Sequence, residues 1–255
     1  MTSTTHAEAS FNTRRGLLGL ALAAGLLDVH AQPTPSTTFS GTPTLTPSPA
    51  SLMPPQLALG PIAAATAIGD TVRLPAALAS GLDAGLSIGE TKEALVQLYA
   101  YAGFPRSLNA LTELMKMLEA RRQRGIRDAE GAAAGPVPVG TELLEVGTAN
   151  QTLLIGAPVK EPLFDFAPAI DQFLKTHLFG DIFARDNLDW HSRELVTVAA
   201  LAAMTGVESQ LLSHVRISLN IGLTTAQLQQ AGEALGGAGF TEARGRLQAS
   251  LEKLA

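Results

Sequence analysis

Two ionisable side chains stand where such groups are hard to accommodate. Glu194 opens a run, Leu195 to Met204, that is almost wholly apolar, and His214 lies in the middle of the next helical stretch, 20 positions on. Histidine is the side chain best poised to move a proton near neutral pH. A carboxylate on a buried helix is costly without a partner, and in an antiparallel helix pair the two could meet. Taken alone each has a plainer role: Glu194 as a charge favoured by the dipole at a helix N-terminus, His214 as a packed or surface histidine. Three arginines nearby, Arg185, Arg193 and Arg216, carry the planar fork that grips a carboxylate with two hydrogen bonds. Singly, each would serve equally in a surface ion pair. The chain has no cysteine, which excludes thiol catalysis, disulfides and thiolate metal sites. His177 and His191 make no familiar metal triad with His214 and read as structural or exposed, so no metal is expected.

These groups need two helices and a turn to position them. Asp189 or Ser192 can cap the first helix, because a short polar side chain accepts from free N–H groups of the first turn; Gly206 ends it. The second runs from about Glu208 to Ile221 and stops at Gly222. Thr224 caps a helix over Ala226 to Leu235, and Thr241 can cap the last, to Leu254. Upstream, apolar runs end at Gly69-Asp70 and near Gly85. Ser87 and Glu90 form a capping box for a helix from Gly89 to about Ala102. Gly103-Phe104-Pro105 breaks that helix, and an amphipathic one follows from Arg106 to about Arg124. Residues 126–160 are rich in Gly, Ala and Pro and read as a connecting arm, with a short strand or extended piece over Gln151 to Ile155. Phe164 to His177 returns to helical spacing, with Phe166, Ile170, Phe173 and Leu174 on one face. The groups Phe164/Phe166/Phe173 and Met115/Met117 are expected in the core.

The composition agrees with an all-α fold. Hydrophobic residues make up 46% of 255, Ala and Leu dominate, and aromatics are only 5%, a mixture that favours helices. Net charge is −5, with no basic block, so nucleic acid is not an expected partner. Asn12-Thr13-Arg14-Arg15-Gly16-Leu17-Leu18 precedes an apolar stretch to Leu27 and a small-x-small site at Val29-His30-Ala31. This is the layout of a twin-arginine signal peptide over residues 1–31. It is too short for a comfortable membrane span, and it predicts a periplasmic protein with no stable membrane insertion after processing. Residues 32–55, rich in Pro, Thr and Ser, read as a flexible linker.

An internal repeat is visible. Sliding Gln56–Ser87 onto Arg193–Thr224, an offset of 137, needs no gap and pairs Gly69 with Gly206, Gly85 with Gly222 and Leu86 with Leu223. Aligned turn glycines carry more information than matching alanines. Where the second copy has Glu194 and His214, the first has Leu57 and Ala77. The expected organisation is a first, degenerate repeat over 56–125, the arm, and a second repeat over 161–255, packed on each other as a pseudo-dimer.

The second repeat resembles the carboxymuconolactone decarboxylase / alkylhydroperoxidase D-like superfamily. The resemblance rests on Arg193-Glu194-Leu195, His214, and Asn220, Gly222, Leu223 and Thr224. It is extended by Phe179-Gly180-Asp181-Ile182-Phe183, Arg185, Leu188 and Asp189, which are similar to the decarboxylase branch. The redox branch carries a Cys-x-x-Cys pair at the positions of Val207 and Gln210, so its sulfur relay is absent here. Tyr101-Ala-Gly-Phe-Pro105 and Asn109, in the first copy only, resemble a segment that normally follows the family's G-L-T helix. The resemblance implies a cofactor-free lyase acting on a small carboxylated lactone or related acid. His214 would be the general acid and Glu194 would orient and tune it. Arg185, Arg193, Arg216, Tyr101 and Asn109 would bind substrate. Trimeric or hexameric homo-oligomers are implied as well. A periplasmic binding module that keeps the helical ring without the chemistry is the alternative.

Overall fold

The computed structural model describes residues 50–254; the expected signal peptide over 1–31 and nearly all of the expected linker lie outside the described residues. The described chain is helical, with no strand among the described residues. Helix α1 (Pro54–Ile68) begins at two prolines, which suit a first turn whose N–H groups have no partner, so the linker is two residues shorter than its composition indicates. It ends at Gly69 in the left-handed conformation. Then come α2 (Leu74–Asp83), α3 (Ile88–Gln97) behind the Ser87–Glu90 capping box, the single turn α4 (Tyr99–Ala102), and α5 (Phe104–Gln123). After α6 (Thr141–Ile155), α7 (Pro162–Phe166), α8 (Pro168–Phe173) and a π-helical segment (Leu174–Ile182), α9 (Trp190–Ala203), α10 (Glu208–Asn220), α11 (Thr225–Gly237) and α12 (Thr241–Glu252) follow.

The alanine-rich helices α1 and α9 pack along each other at the centre. Ala63, Ala64, Ala65 and Ala67 of α1 and Ala199, Ala200 and Ala202 of α9 are buried between them, because small side chains let two helix backbones approach. The two halves follow the same sequence of devices. Each central helix is followed by a positive-φ glycine, Gly69 or Gly206, and a second helix leads to another, Gly85 or Gly222. A capping box then starts the next helix, Ser87–Glu90 or Thr224–Gln227. An arginine serves the carbonyl end of each central helix: Arg106 donates to the Ala67 carbonyl, and Arg246 donates to those of Ala202 and Ala203 at 2.6 and 3.0 Å. Such donors satisfy carbonyls that have no intrahelical partner.

The connecting arm departs from expectation. Gln151 to Ile155 is neither strand nor extended; it is the last turn of α6 (Thr141–Ile155). Gly147 in mid-helix depresses the local helix propensity, but its missing side chain makes a tertiary contact. A Cβ there would stand 1.7 Å from the Lys175 carbonyl oxygen. At this crossing α6 meets the π-helical segment Leu174–Ile182, where a Cβ on Gly180 would stand 2.8 Å from a methyl of Leu143. Asn150 fixes the contact by donating to the Phe179 carbonyl at 2.8 Å. The expected helix Phe164 to His177 is broken into α7 (Pro162–Phe166), α8 (Pro168–Phe173) and the π segment, since the residue before Pro168 is pushed out of helical geometry. Its aromatic face is not core: Phe166 is 87% exposed and Phe173 62%. Met115 is likewise exposed. Thr241 is the first residue of α12 and not its cap, the N-cap position being Phe240. Because the α6–π contact is backbone against backbone, Gly147→Ala should destabilise by at least the ~1–3 kcal/mol typical of overpacking. Urea unfolding measures this, and a midpoint like the parent's would refute the crossing.

Candidate functional site

Helix α9 is started by Asp189, whose Oδ1 accepts from the Ser192 N–H at 3.0 Å. Nearly all of α9 is buried, since α1, α10, α11 and α12 surround it. Glu194 is therefore carried into the interior with no exposure at all. Its Oε2 is 2.9 Å from Nδ1 of His214 on α10, whose side chain is 12% exposed. The two helices converge because the tight turn at positive-φ Gly206 returns α10 against α9. With Nδ1 engaged by the carboxylate, the histidine presents Nε2 as the nitrogen free to exchange a proton.

The third member comes from the other half of the chain. Tyr101 of α4 meets the His214 ring edge-on, centroids 5.6 Å apart. Its hydroxyl is buried beside Glu194 and Thr197, and Glu194 Oε1 has no hydrogen-bond partner. Burial, reinforced by the Glu194 charge, pushes the Tyr101 phenol far above its usual range. Tyr101 therefore stays neutral and does not serve as a phenolate base, while Glu194 keeps one free acceptor oxygen.

A buried ionic hub adjoins the pair. Glu93 of α3 receives Arg193 Nη2 at 2.9 Å and Arg185 Nε at 2.8 Å on one oxygen, and Asn187 Nδ2 at 3.1 Å on the other. Gln97, one turn along α3, accepts from Arg193 and donates to both the Arg193 carbonyl and Thr197. Burial opposes the Glu93 charge, but the Arg185 hydrogen bond and the Arg193 charge outweigh it and hold this carboxyl below its ordinary value. Burial pushes the Arg193 guanidinium down, against the Glu93 charge.

The residues singled out from sequence thus divide. Glu194, His214 and Tyr101 come together. Arg193 has no exposed side-chain surface and is held on Glu93, because a buried guanidinium needs a counter-charge. Arg185 shares that carboxylate but stays 34% exposed. Of the two cations on Glu93, Arg185 is the one that reaches solvent, with Asp186 as a further acidic neighbour. Arg216 is exposed, and two positions from His214 on one helix it faces away from it. Asn109 is exposed on α5 with no side-chain hydrogen bond among the described residues. His191 is structural, its Nε2 2.8 Å from the Ile221 carbonyl, and His177 pairs with Asp181 at 2.6 Å near the surface. Glu93 and Gln97 escaped notice in the sequence. The signal was their i, i+4 spacing, which places two polar groups on one face of a short helix.

Residues 168–252 match the Carboxymuconolactone decarboxylase family. The chain is also 34% identical over 92 residues to a 4-carboxymuconolactone decarboxylase of Acinetobacter baylyi, which covers 36% of this chain. The chain spans 63% of that relative's length. Glu194 and His214 lie inside the family segment; Tyr101, Glu93 and Gln97 lie outside it.

Proposed function

We propose that the chain is a member of the carboxymuconolactone decarboxylase / alkylhydroperoxidase D-like superfamily, as the match of residues 168–252 supports, and that it is a cofactor-free carboxy-lyase acting on a small carboxylated lactone or a related acid. The observation that carries this reading is the buried Glu194 carboxylate 2.9 Å from His214 Nδ1. In the reaction the bond from ring carbon to carboxylate breaks and carbon dioxide leaves. The electron pair enters the conjugated lactone, and the resulting carbanion takes a proton at carbon. His214 Nε2 supplies that proton and recovers it from solvent. Glu194 holds the ring in place and balances the charge of the protonated imidazole. Arg185, the hub cation that reaches solvent, binds the departing carboxylate.

The test is to incubate the purified protein with 4-carboxymuconolactone, following carbon dioxide release and loss of the conjugated absorbance. No release above the heat-inactivated control, across related lactone acids, would leave the binding-module reading in its place.

Export by the twin-arginine route is part of the proposal and rests on Arg14-Arg15 ahead of the apolar stretch. Changing both to Lys should leave the precursor in the cytoplasm, whereas normal delivery of mature protein to the periplasm would contradict it. Homo-oligomerisation is proposed from the exposed aromatic side chains Phe166 and Phe173, which a second subunit would cover. Sedimentation reads the mass directly.

The parallel turns, capping boxes and arginine caps of the two halves support a tandem origin. On that view the first copy has lost the acid–base pair but contributes Tyr101 to the second.

A further inference from the structure

We infer that Gln97 of α3 is a positioning residue for the Glu194–His214 pair, fixing through its side-chain amide the one turn of α9 that carries Glu194. This role rests on the reading of that pair as the acid–base centre and names the group that holds it in register.

Gln97 has no exposure, and all three hydrogen-bonding positions of its amide are engaged by two residues of α9. Its Oε1 accepts from Arg193 Nη1 at 3.1 Å. Its Nε2 donates to the Arg193 carbonyl at 2.9 Å and to Thr197 Oγ1 at 2.8 Å. A guanidinium only donates, so the amide oxygen must face it and the amide hydrogens must face the carbonyl and the hydroxyl. Arg193 and Thr197 are one turn apart and bracket Glu194. The tie therefore grips the backbone of that turn, whereas Glu93 reaches only the far end of the Arg193 side chain. Gln97 also lies one turn before Tyr101, whose ring meets His214. Both members of the pair are thus referenced to one stretch of the first half, Glu194 through Gln97 and His214 through Tyr101.

Such a tie has something to hold. Helix α9 meets α1 through alanines, whose shallow ridges resist axial rotation less than large interlocking side chains do. A carboxylate about 5–6 Å from a helix axis moves about 1 Å for each ~10° of rotation, and a misplacement of that size can cost about 100-fold in rate. Packing alone does not call for the tie. The 137-residue offset pairs Gln97 with Ala234 and Thr197 with Gly60, whose side chains offer no hydrogen bond, yet α11 packs on α1 there. In that half Leu57 stands at the position of Glu194. The amide is present where a carboxylate has to be aimed and missing where there is none.

The test reads His214 itself. With Nδ1 facing a carboxylate, the neutral ring carries its hydrogen on Nδ1 and leaves Nε2 bare. Nitrogen NMR of the histidine-labelled protein, with the His214 signals identified by their loss in His214→Ala, shows this tautomer directly. Gln97→Met keeps the length of the side chain and removes all three bonds. It is expected to draw the Nδ1 and Nε2 shifts toward each other as the second tautomer enters, and to lower kcat on the lactone about 10- to 100-fold with KM unchanged, since Gln97 is closed to substrate. Thr197→Val, which deletes one bond at nearly constant shape, should do the same more weakly, and it carries the test if Gln97→Met does not fold. Gly147→Ala, whose strain falls at the α6–π crossing, should leave the His214 signals in place. Unmoved His214 shifts in Gln97→Met and Thr197→Val, or equal movement in Gly147→Ala, would make Gln97 a strut of the fold and overturn the inference. Tautomer mixing in Gln97→Met together with a parent that turns over no lactone would count against the reaction and not against the positioning.

Discussion

His214→Ala is expected to lower turnover of the proposed lactone substrate about 100- to 10,000-fold, the usual contribution of a positioned general acid, and to leave the helix intact, since alanine is the better helix former. The expectation follows from geometry. The ring is held at Nδ1 by a carboxylate with no solvent exposure, which leaves only Nε2 for chemistry. Glu194→Gln keeps the shape but removes the charge that balances a protonated ring, so it should lose a smaller but still large factor. The two residues act as one unit, and the double variant should be no slower than His214→Ala alone, because effects within a catalytic unit do not add. Full activity in His214→Ala, or multiplying losses in the double variant, would refute the dyad. Tyr101→Phe separates structure from chemistry. Removing this buried hydroxyl, whose hydrogen-bond neighbour is Thr197, should change stability by only about 1 kcal/mol, so a large drop in rate there would report contact with the reacting groups.

The pair itself was legible because Glu194 and His214 interrupt apolar helical runs, and turn glycines and caps fixed the elements around them. Helix α6 was not legible. Gly147 argues against a helix locally, and only the crossing with the π segment, remote in sequence, explains it. The aromatic run Phe166, Ile170, Phe173 has the spacing of a core face but lies exposed, because hydrophobic period shows which side chains share a face and not whether anything in the same chain covers it. Arg193 illustrates the same limit for charge. An arginine beside a catalytic carboxylate is equally good as a clamp or as a buried strut, and the choice was made by Glu93, 100 positions away.

That strut sets the second large effect. Glu93→Gln should destabilise the protein by roughly 3–5 kcal/mol at neutral pH, the usual cost of leaving a buried charge without its partner and a substantial share of a typical domain's stability. Arg193 has no exposed surface and cannot turn to water for relief, whereas Arg185 can. The pH dependence gives the sharper signature. The Glu93 carboxyl is held below its ordinary value of 4.5 by Arg185 and Arg193. A depressed carboxyl contributes stability that is fully present above its unfolded value and is lost as pH falls through the folded one. The gap between parent and Glu93→Gln should therefore be constant at neutral pH and narrow in acid below 4.5, where the parent protonates Glu93 and comes to resemble the variant. Glu119→Gln is the control, because that carboxyl is also held low, by Arg122, but lies on the surface, where ion pairs contribute little. Urea titrations across this range measure all three proteins. A Glu93→Gln deficit that persists undiminished in acid would mean the loss comes from packing and not from the charge on the hub. Because Arg193 immediately precedes Glu194 on α9, the same variant should loosen the acid–base pair and lower turnover well before the chain unfolds.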